Sequence, residues 1–419
     1  MKQRSRWAVG REKLITLGCR SLGRLFDLFQ GKPPQLADFP PNLRLLILKP
    51  CCLGDVVLTT PAIAALREAL PQARLDYAVS GWARPVVENN LWLNATLDTG
   101  SKGSHFSFKS YLAFIWRLRK FHYQGIIVFD RSPLLNLIPW LAGAKIRAGL
   151  DSAGRGFALN VRAILIPSPS PTSNPSRPNH NHPNQPNHLG DMSLKHEAEI
   201  YLEVLKALGI AVSQSSVNFF PTAPARAQVQ HKAAELGLDF YHPFAVIHPG
   251  GGNNPDTHVL SKRWPSPNFA RIAEKLTQQG YQVVVIGAPD RGDRELADEL
   301  LQAFSGDKTK IFDAVGCFDI GESGALFEKA ALFVGNDTGL MHLAAACSTA
   351  VVAVFGPSNP LSYGPYTSRG RAVAPLETSA LAGLPLSEYQ RLSAEQGGIQ
   401  TVSVERVWQA CQEVLSFEF

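Results

Sequence analysis

The chain has 419 residues, enough for two domains, and is 45% hydrophobic and 18% charged, the balance of a globular protein and not of a disordered one. Its net charge of +6 sits in residues 1–32, where eight Lys/Arg face only Glu12 and Asp27; the 33 basic and 33 acidic residues that remain cancel, so nothing in the body indicates a basic nucleic-acid groove. No run reaches the roughly 18 apolar residues of a membrane-spanning helix. The six scattered cysteines include no CxxC, which excludes a zinc motif and a disulfide framework, leaves adjacent Cys51 and Cys52 expected to stay unpaired, and fits a reducing compartment.

Residues 1–40 read as a basic amphipathic arm and a Pro-rich linker. Leu14, Leu17, Leu22, Leu25, Phe26 and Phe29 recur at helical spacing with Arg and Lys between them. Two readings stay open: a helix lying on an anionic membrane surface, or a helix packed on the body. Arg11, Glu12, Lys13 and Arg20 interrupt any signal-peptide core. Thr16-Leu17-Gly18-Cys19 loosely resembles a lipoprotein cleavage site, and the charges just upstream argue against it.

The body alternates strand and helix patterns. Residues 43–49 form an apolar strand, and Thr60-Pro61 starts a helix with Pro at its first position. Strands follow at 75–79 and 125–130. Residues 168–190 are a Pro/Asn/Ser/His tract, expected to be a disordered surface loop; His180, His182 and His188 in it are not held in register for a metal. A helix is expected at 197–208. The pattern then restarts, with strands at 244–248, 282–286, 332–334 and 351–355 and a helix at 269–278. Such alternation predicts parallel sheets with helices on both faces. Two runs of it predict two doubly wound domains, at 41–214 and 215–400, closed by a helix at 401–419. Ligands bind beyond the strand C-termini in such sheets, so one site is expected in the cleft between domains.

Three constellations carry chemistry. Gly335-Asn336-Asp337-Thr338-Gly339-Leu340-Met341-His342 follows a buried strand and becomes a small-residue helix. Its first N–H groups lack intrahelical partners, and the helix dipole favours an anion there. With the helix starting near Thr338, His342 lies one turn on, looking back at the anion or merely packing. Lys49-Pro50-Cys51-Cys52-Leu53-Gly54-Asp55, leading through Thr59 to Pro61, places Asp55 at the cleft either as a general base or as a brace of the turn. His248-Pro249-Gly250-Gly251-Gly252 with Lys262-Arg263-Trp264-Pro265 offers close backbone approach and two cations to a phosphate.

Together with Phe355-Gly356-Pro357-Ser358-Asn359-Pro360, Asp130-Arg131-Ser132 and Arg147-Ala148-Gly149, these motifs occur in the order seen in glycosyltransferase family 9, and the chain resembles that family over roughly residues 43–360. The family comprises the ADP-heptose:lipopolysaccharide heptosyltransferases and their relatives. The resemblance implies an α/β chain of GT-B fold, two doubly wound, Rossmann-like domains facing across a cleft. It implies an inverting transfer that uses no metal and no cofactor. On that pattern Asp55 is the base that deprotonates an acceptor hydroxyl. Lys262, Asp337, Thr338, Gly339 and His342 hold the donor diphosphate. His248, Gly250, Asp290, Asp293 and Pro357 serve the nucleotide, with Asp290 and Asp293 both open as the ribose contact. Gly54, Thr59, Arg131 and Ser132 lie on the acceptor side. The implied partners are a nucleotide-diphosphate sugar, with ADP-heptose foremost, and a lipid-linked or lipopolysaccharide-type envelope glycan. The implied location is the cytoplasm, at the inner face of the cytoplasmic membrane; residues 1–32, an addition to the family, are the membrane contact on the first of the two readings of the arm. Two rivals remain, a nucleotide-sugar 2-epimerase of the same fold and a non-catalytic sugar-nucleotide-binding protein. The chain departs from the family in lacking cysteines at 376–400 and in adding the arm and the 168–190 loop.

Overall fold

The computed structural model describes residues 6–29, 34–103, 105–165, 195–212, 216–254, 257–376 and 386–416. The first half contains, in order, α1 (Arg6–Phe29), β1 (Arg44–Leu48), α2 (Leu53–Leu58), α3 (Thr60–Ala69), β2 (Arg74–Val79), β3 (Ala95–Asp98), α4 (Phe108–Phe121), β4 (Gly125–Val128), α5 (Pro133–Leu141), β5 (Ile146–Ser152), β6 (Val161–Leu165) and α6 (Glu197–Ala207). Its strands form one parallel sheet in the order β3-β2-β1-β4-β5-β6. The second half contains α7 (Ala223–Leu236), β7 (Phe244–His248), β8 (Asn253–Asn254), β9 (Thr257–His258), α8 (Ser266–Gln278), β10 (Gln282–Val285), α9 (Arg291–Ala303), β11 (Ile311–Asp313), α10 (Ile320–Phe327), β12 (Leu332–Asn336), α11 (Gly339–Ala346), β13 (Ala350–Val354), α12 (Pro360–Tyr363), β14 (Gly370–Val373), α13 (Leu386–Glu395) and α14 (Val404–Leu415). The second parallel sheet has the order β11-β10-β7-β12-β13-β14.

Each sheet is doubly wound because its central strands are apolar on both faces. In β1, Leu45 and Ile47 face one core while Leu46 and Leu48 face another. In β7, Phe244 and Val246 alternate with Ala245 and Ile247 in the same way. Strands buried on both faces read as continuous hydrophobic runs, which is why β1 and β7 were legible from sequence. The chain order reverses between β1 and β4 and between β7 and β12, so each domain opens a crevice at the C-terminal ends of those strands. α14 lies across β13 and β14 and buries Val407, Cys411 and Val414 in the second core.

Two expectations change. Residues 53–58 form a helix of their own, and residues 49–61 are not a simple turn; Pro61 begins the next helix because its ring fits the first turn. Cys51 and Cys52 are joined as a disulfide and are not unpaired. Their Cα atoms lie 3.1 Å apart, and the peptide bond between them is cis. The 168–190 tract, with its three histidines, lies outside the described residues.

Candidate active site

The turns after β1, β7, β10 and β12 converge on a cleft of about 1140 Å³ between the two domains. Asn336 organises the second-domain wall. Its buried Nδ2 donates to the carbonyls of Pro249 and Gly250, both at 2.9 Å, and its Oδ1 accepts from Trp264 N at 3.0 Å. One amide therefore ties the glycine turn, the Lys262 segment and the β12 turn together. Trp264 is wholly buried and anchored by Nε1 donating to the Val402 carbonyl at 2.9 Å. Burying these polar groups is tolerated only because each has its partner.

At the end of β12, Thr338 caps α11, its side chain accepting from Met341 N. Gly339 and Leu340 follow at the cleft with first-turn N–H groups that have no intrahelical partner. Lys262 Nζ donates to Asp337 Oδ2 at 2.5 Å, so an ammonium stands beside that helix start. Arg263 differs from expectation: its guanidinium bonds Gly251 O at 2.8 Å and Asn253 Oδ1 at 3.1 Å, bracing the glycine turn and leaving Lys262 to face the cleft.

α2 and α11 abut across the cleft through their glycines. A Cβ on Gly54 would stand 2.6 Å from His342 Cδ2, and one on Gly339 would stand 2.7 Å from the Leu53 Cβ. His342 is buried at this junction, and its Nδ1 has no partner among the described residues. Burial lowers its pKa to about 4, so it is a neutral imidazole near pH 7. This has a measurable consequence. The unfolded chain takes up that proton near pH 6.5 while the folded one resists it down to about 4, so stability is complete above pH 6.5 and falls as pH drops. Denaturant melts between pH 6.5 and 4 should show a loss of about 3 kcal/mol that His342→Gln removes; an unchanged pH dependence in the variant refutes the assignment.

The first-domain wall is a charge cluster at the ends of β1 and β4. Asp55 lies in the first turn of α2, where the helix dipole favours a carboxylate. Lys49 Nζ, itself buried, lies 3.0 Å from Asp55 Oδ2 and 3.3 Å from Asp130 Oδ2. Arg131 forks onto buried Glu197 at 2.6 and 2.9 Å. Burial opposes the charge on Lys49, but Asp55, Asp130 and Glu197 together hold its pKa above the ordinary range. Asp55 sits deep in the cleft yet keeps a third of its side chain open to it. Burial raises its pKa, and Lys49 opposes that only in part because Glu197 and Asp130 repel the same charge. Three carboxylates against two cations leave a carboxyl at the cleft that takes up a proton more readily than a free one.

Lys49, Asp130 and Glu197 were not singled out from sequence as site residues. Lys49 and Asp130 are brought together by the parallel pairing of β1 with β4, and Glu197 by α6 packing on the sheet. The second domain also reaches this cluster: Tyr363 of α12 lines the cleft, and His196 Nε2 lies 2.9 Å from the Gly364 carbonyl.

Among the residues expected at the site, Gly54, Asp55, His248, Lys262, Asp290, Asp293, Asp337, Thr338, Gly339 and His342 all border the cleft. Asp290 caps α9 by accepting from Asp293 N at 3.0 Å; Asp293 accepts from Ala288 N at 2.9 Å and meets His248 Nε2 at 3.3 Å. Asp290 is the exposed member of the pair and Asp293 the buried one. The others stand behind the wall. Thr59 is fully buried, bonded to Val56 O and Tyr77 Oη. Arg131 is engaged by Glu197, and Ser132 N donates to Asp130 Oδ1 at 2.8 Å. Gly250 must lack a side chain because a Cβ there would strike Asp293 and His248. The Pro357 carbonyl accepts from Gln390, and its neighbour Ser358 is the residue at the cleft.

Residues 188–383 match the model of glycosyltransferase family 9 (heptosyltransferase). The chain is 25% identical over 317 residues to lipopolysaccharide heptosyltransferase 3 of Escherichia coli, covering 75% of this chain and 83% of that protein. It is 23% identical over 336 residues to lipopolysaccharide heptosyltransferase 2 of the same organism, covering 79% and 88%. Among solved structures it is similar to a family 9 glycosyl transferase from Veillonella parvula, with TM-score 0.71 and 23% identity over 89% of this chain and 97% of that one. It is also similar to the E. coli ADP-heptose heptosyltransferase II, with TM-score 0.65 and 20% identity over 89% and 98%. An E. coli heptosyltransferase solved with ADP superposes with TM-score 0.57 and 19% identity over 84% and 100%. The chain thus has the two-domain GT-B fold of these enzymes, and over residues 188–383 it matches glycosyltransferase family 9, the heptosyltransferase family.

Proposed function

We propose that the enzyme transfers heptose from ADP-heptose to a hydroxyl of a lipopolysaccharide-type envelope glycan, with inversion and without a metal. The observation that carries this reading is the meeting of two unlike walls in one cleft: Asp55 on one, and Lys262 with the α11 N-terminus on the other. Asp55, ionised, accepts the proton of the acceptor hydroxyl as its oxygen attacks the anomeric carbon. The carbon–oxygen bond to the diphosphate breaks on the far side, and ADP departs carrying the electron pair. Lys262 and the N–H groups of Gly339 and Leu340 stabilise the negative charge that grows on the leaving oxygen. His342, being neutral, shapes this wall without adding charge. Asp337 holds Lys262 until a phosphate takes its place. The exposed carboxylate of Asp290 is the ribose contact, while Asp293 keeps its bonds to His248 and Ala288. The named relatives support heptose and lipopolysaccharide as donor sugar and acceptor class, and the relative solved with ADP supports adenine as the base.

The test is a thermal-shift comparison of ADP, UDP and GDP with their sugar conjugates. ADP at about 100 times its Kd should stabilise the folded enzyme by about 2.7 kcal/mol, read as a rise of several degrees in Tm. UDP and GDP should leave Tm near its unliganded value. Equal stabilisation by all three would remove the ADP assignment, and no response to any would remove the donor site.

A further inference from the structure

α1 is not a free arm. At 3.6 residues per turn, Cys19, Gly23 and Phe26 share one face, and that face docks on the first domain. Cys19 packs with Phe157 and Ala158, and Phe26 meets the rings of Trp140 and Phe157 at 5.3 and 5.5 Å. Leu14, Leu17, Leu25 and Leu28 fall within about 80° of arc on the opposite face. Leu14 is 71% and Leu28 80% exposed. An apolar stripe therefore points away from the body of a helix whose other face is already satisfied.

The neighbouring helices continue this surface. α5 adjoins α1 through Trp140 and adds exposed Leu134. α4 adjoins α5 by Tyr111 Oη donating to the Leu134 carbonyl at 2.8 Å and Arg119 Nε to that of Leu141 at 2.7 Å. Along α4, Phe108, Leu112 and Trp116 recur every fourth residue on its solvent face, with Phe108 77% and Trp116 61% exposed. The charge around these stripes is predominantly positive. α4 carries Lys109, Arg117, Arg119 and Lys120 and no acidic residue, and Lys120 Nζ sits 3.4 Å from the centroid of Trp116. α5 is uncharged, and Asp27, the one acidic residue between 14 and 29, is paired with Arg162. Among the described residues no helix is long and apolar enough to cross a membrane.

We infer that α1, α4 and α5 together form a docking face for an anionic lipid bilayer, on which the enzyme lies without spanning it. Leucines and aromatics enter the interfacial layer while Lys and Arg meet lipid phosphates, and two such signals together give stable attachment. A water-soluble protein partner would not call for such an excess of Lys and Arg beside the α1 and α4 stripes, where the acidic residues are Glu12 and Asp27 of α1, the latter paired with Arg162. The inference does not depend on the reaction proposed above.

The test is flotation of the full chain with vesicles of phosphatidylcholine alone and with about 30% phosphatidylglycerol added. The enzyme should float with the anionic vesicles, and high salt should weaken this. Phe108→Ser/Leu112→Ser/Trp116→Ser and, separately, Leu25→Glu/Leu28→Glu should each lower partitioning by about tenfold or more, with Tm and its response to ADP unchanged. Failure of the unaltered chain to float, or equal flotation of both variants, overturns the inference. So does a dimer in sedimentation that the same substitutions dissolve, since a second copy would then cover the face. The ADP response is read from the same samples, so loss of the membrane face and loss of the donor site are separate results.

Discussion

Asp55→Asn is expected to lower kcat/KM for sugar transfer by roughly 10² to 10⁴-fold, the usual worth of a positioned general base. The change removes the proton acceptor but keeps the shape of the side chain at the start of α2. Lys49 retains Asp130 at 3.3 Å, so the cluster does not strand a buried ammonium. The melting temperature and the ADP-induced shift should therefore stay near those of the unaltered enzyme. Because burial lifts the Asp55 pKa, the acid limb of kcat/KM against pH should fall above the ordinary carboxylate range. The sign follows from the role: the base works only when ionised, so activity climbs as pH rises through that pKa. The variant should lose this limb along with its rate. Wild-type-like transfer by Asp55→Asn would refute the mechanism.

Lys262→Ala should lower transfer by roughly 10² to 10³-fold and also weaken ADP binding, because the ammonium faces charge already present in the ground state that grows in the transition state. The Asp55 variant should change kcat alone, so the pair separates proton transfer from leaving-group stabilisation. Removing Lys262 also leaves Asp337 buried without its cation. Lys262→Ala/Asp337→Asn is the control: it removes that carboxylate charge and should restore Tm without restoring transfer. Full activity in Lys262→Ala would move the role to another group. Steady-state kinetics with isothermal titration of ADP decides both.

The apolar runs of β1, β7, β12 and β13 made both sheets legible in the sequence, because strands buried on two faces cannot hide polar positions. Short or half-exposed elements such as β3, β11 and β14 were not legible, since their residues alternate weakly and pairing on a sheet edge, not local propensity, defines them. The site divided along the same line. Asp55, Lys262 and Thr338 to His342 were legible because each sits on a turn next to a strand end, where motif and position coincide. The arm was legible as an amphipathic helix with two readings open. The structure shows that one face packs on Phe157 and Trp140 and leaves the other, leucine-lined, turned outward.

Sequence by itself determined the two α/β halves, the glycine turns and most of the residues that border the cleft, because these depend on local pattern. Only the tertiary structure decided how those groups are charged and which are free to act. Lys49 and Asp130 are 81 positions apart and meet through strand pairing. Arg263 turns to the glycine loop while Lys262 faces the cleft. His342 becomes neutral by being buried against Gly54. Protonation and partnership are set by what surrounds a group in space, and those neighbours come from distant parts of the chain.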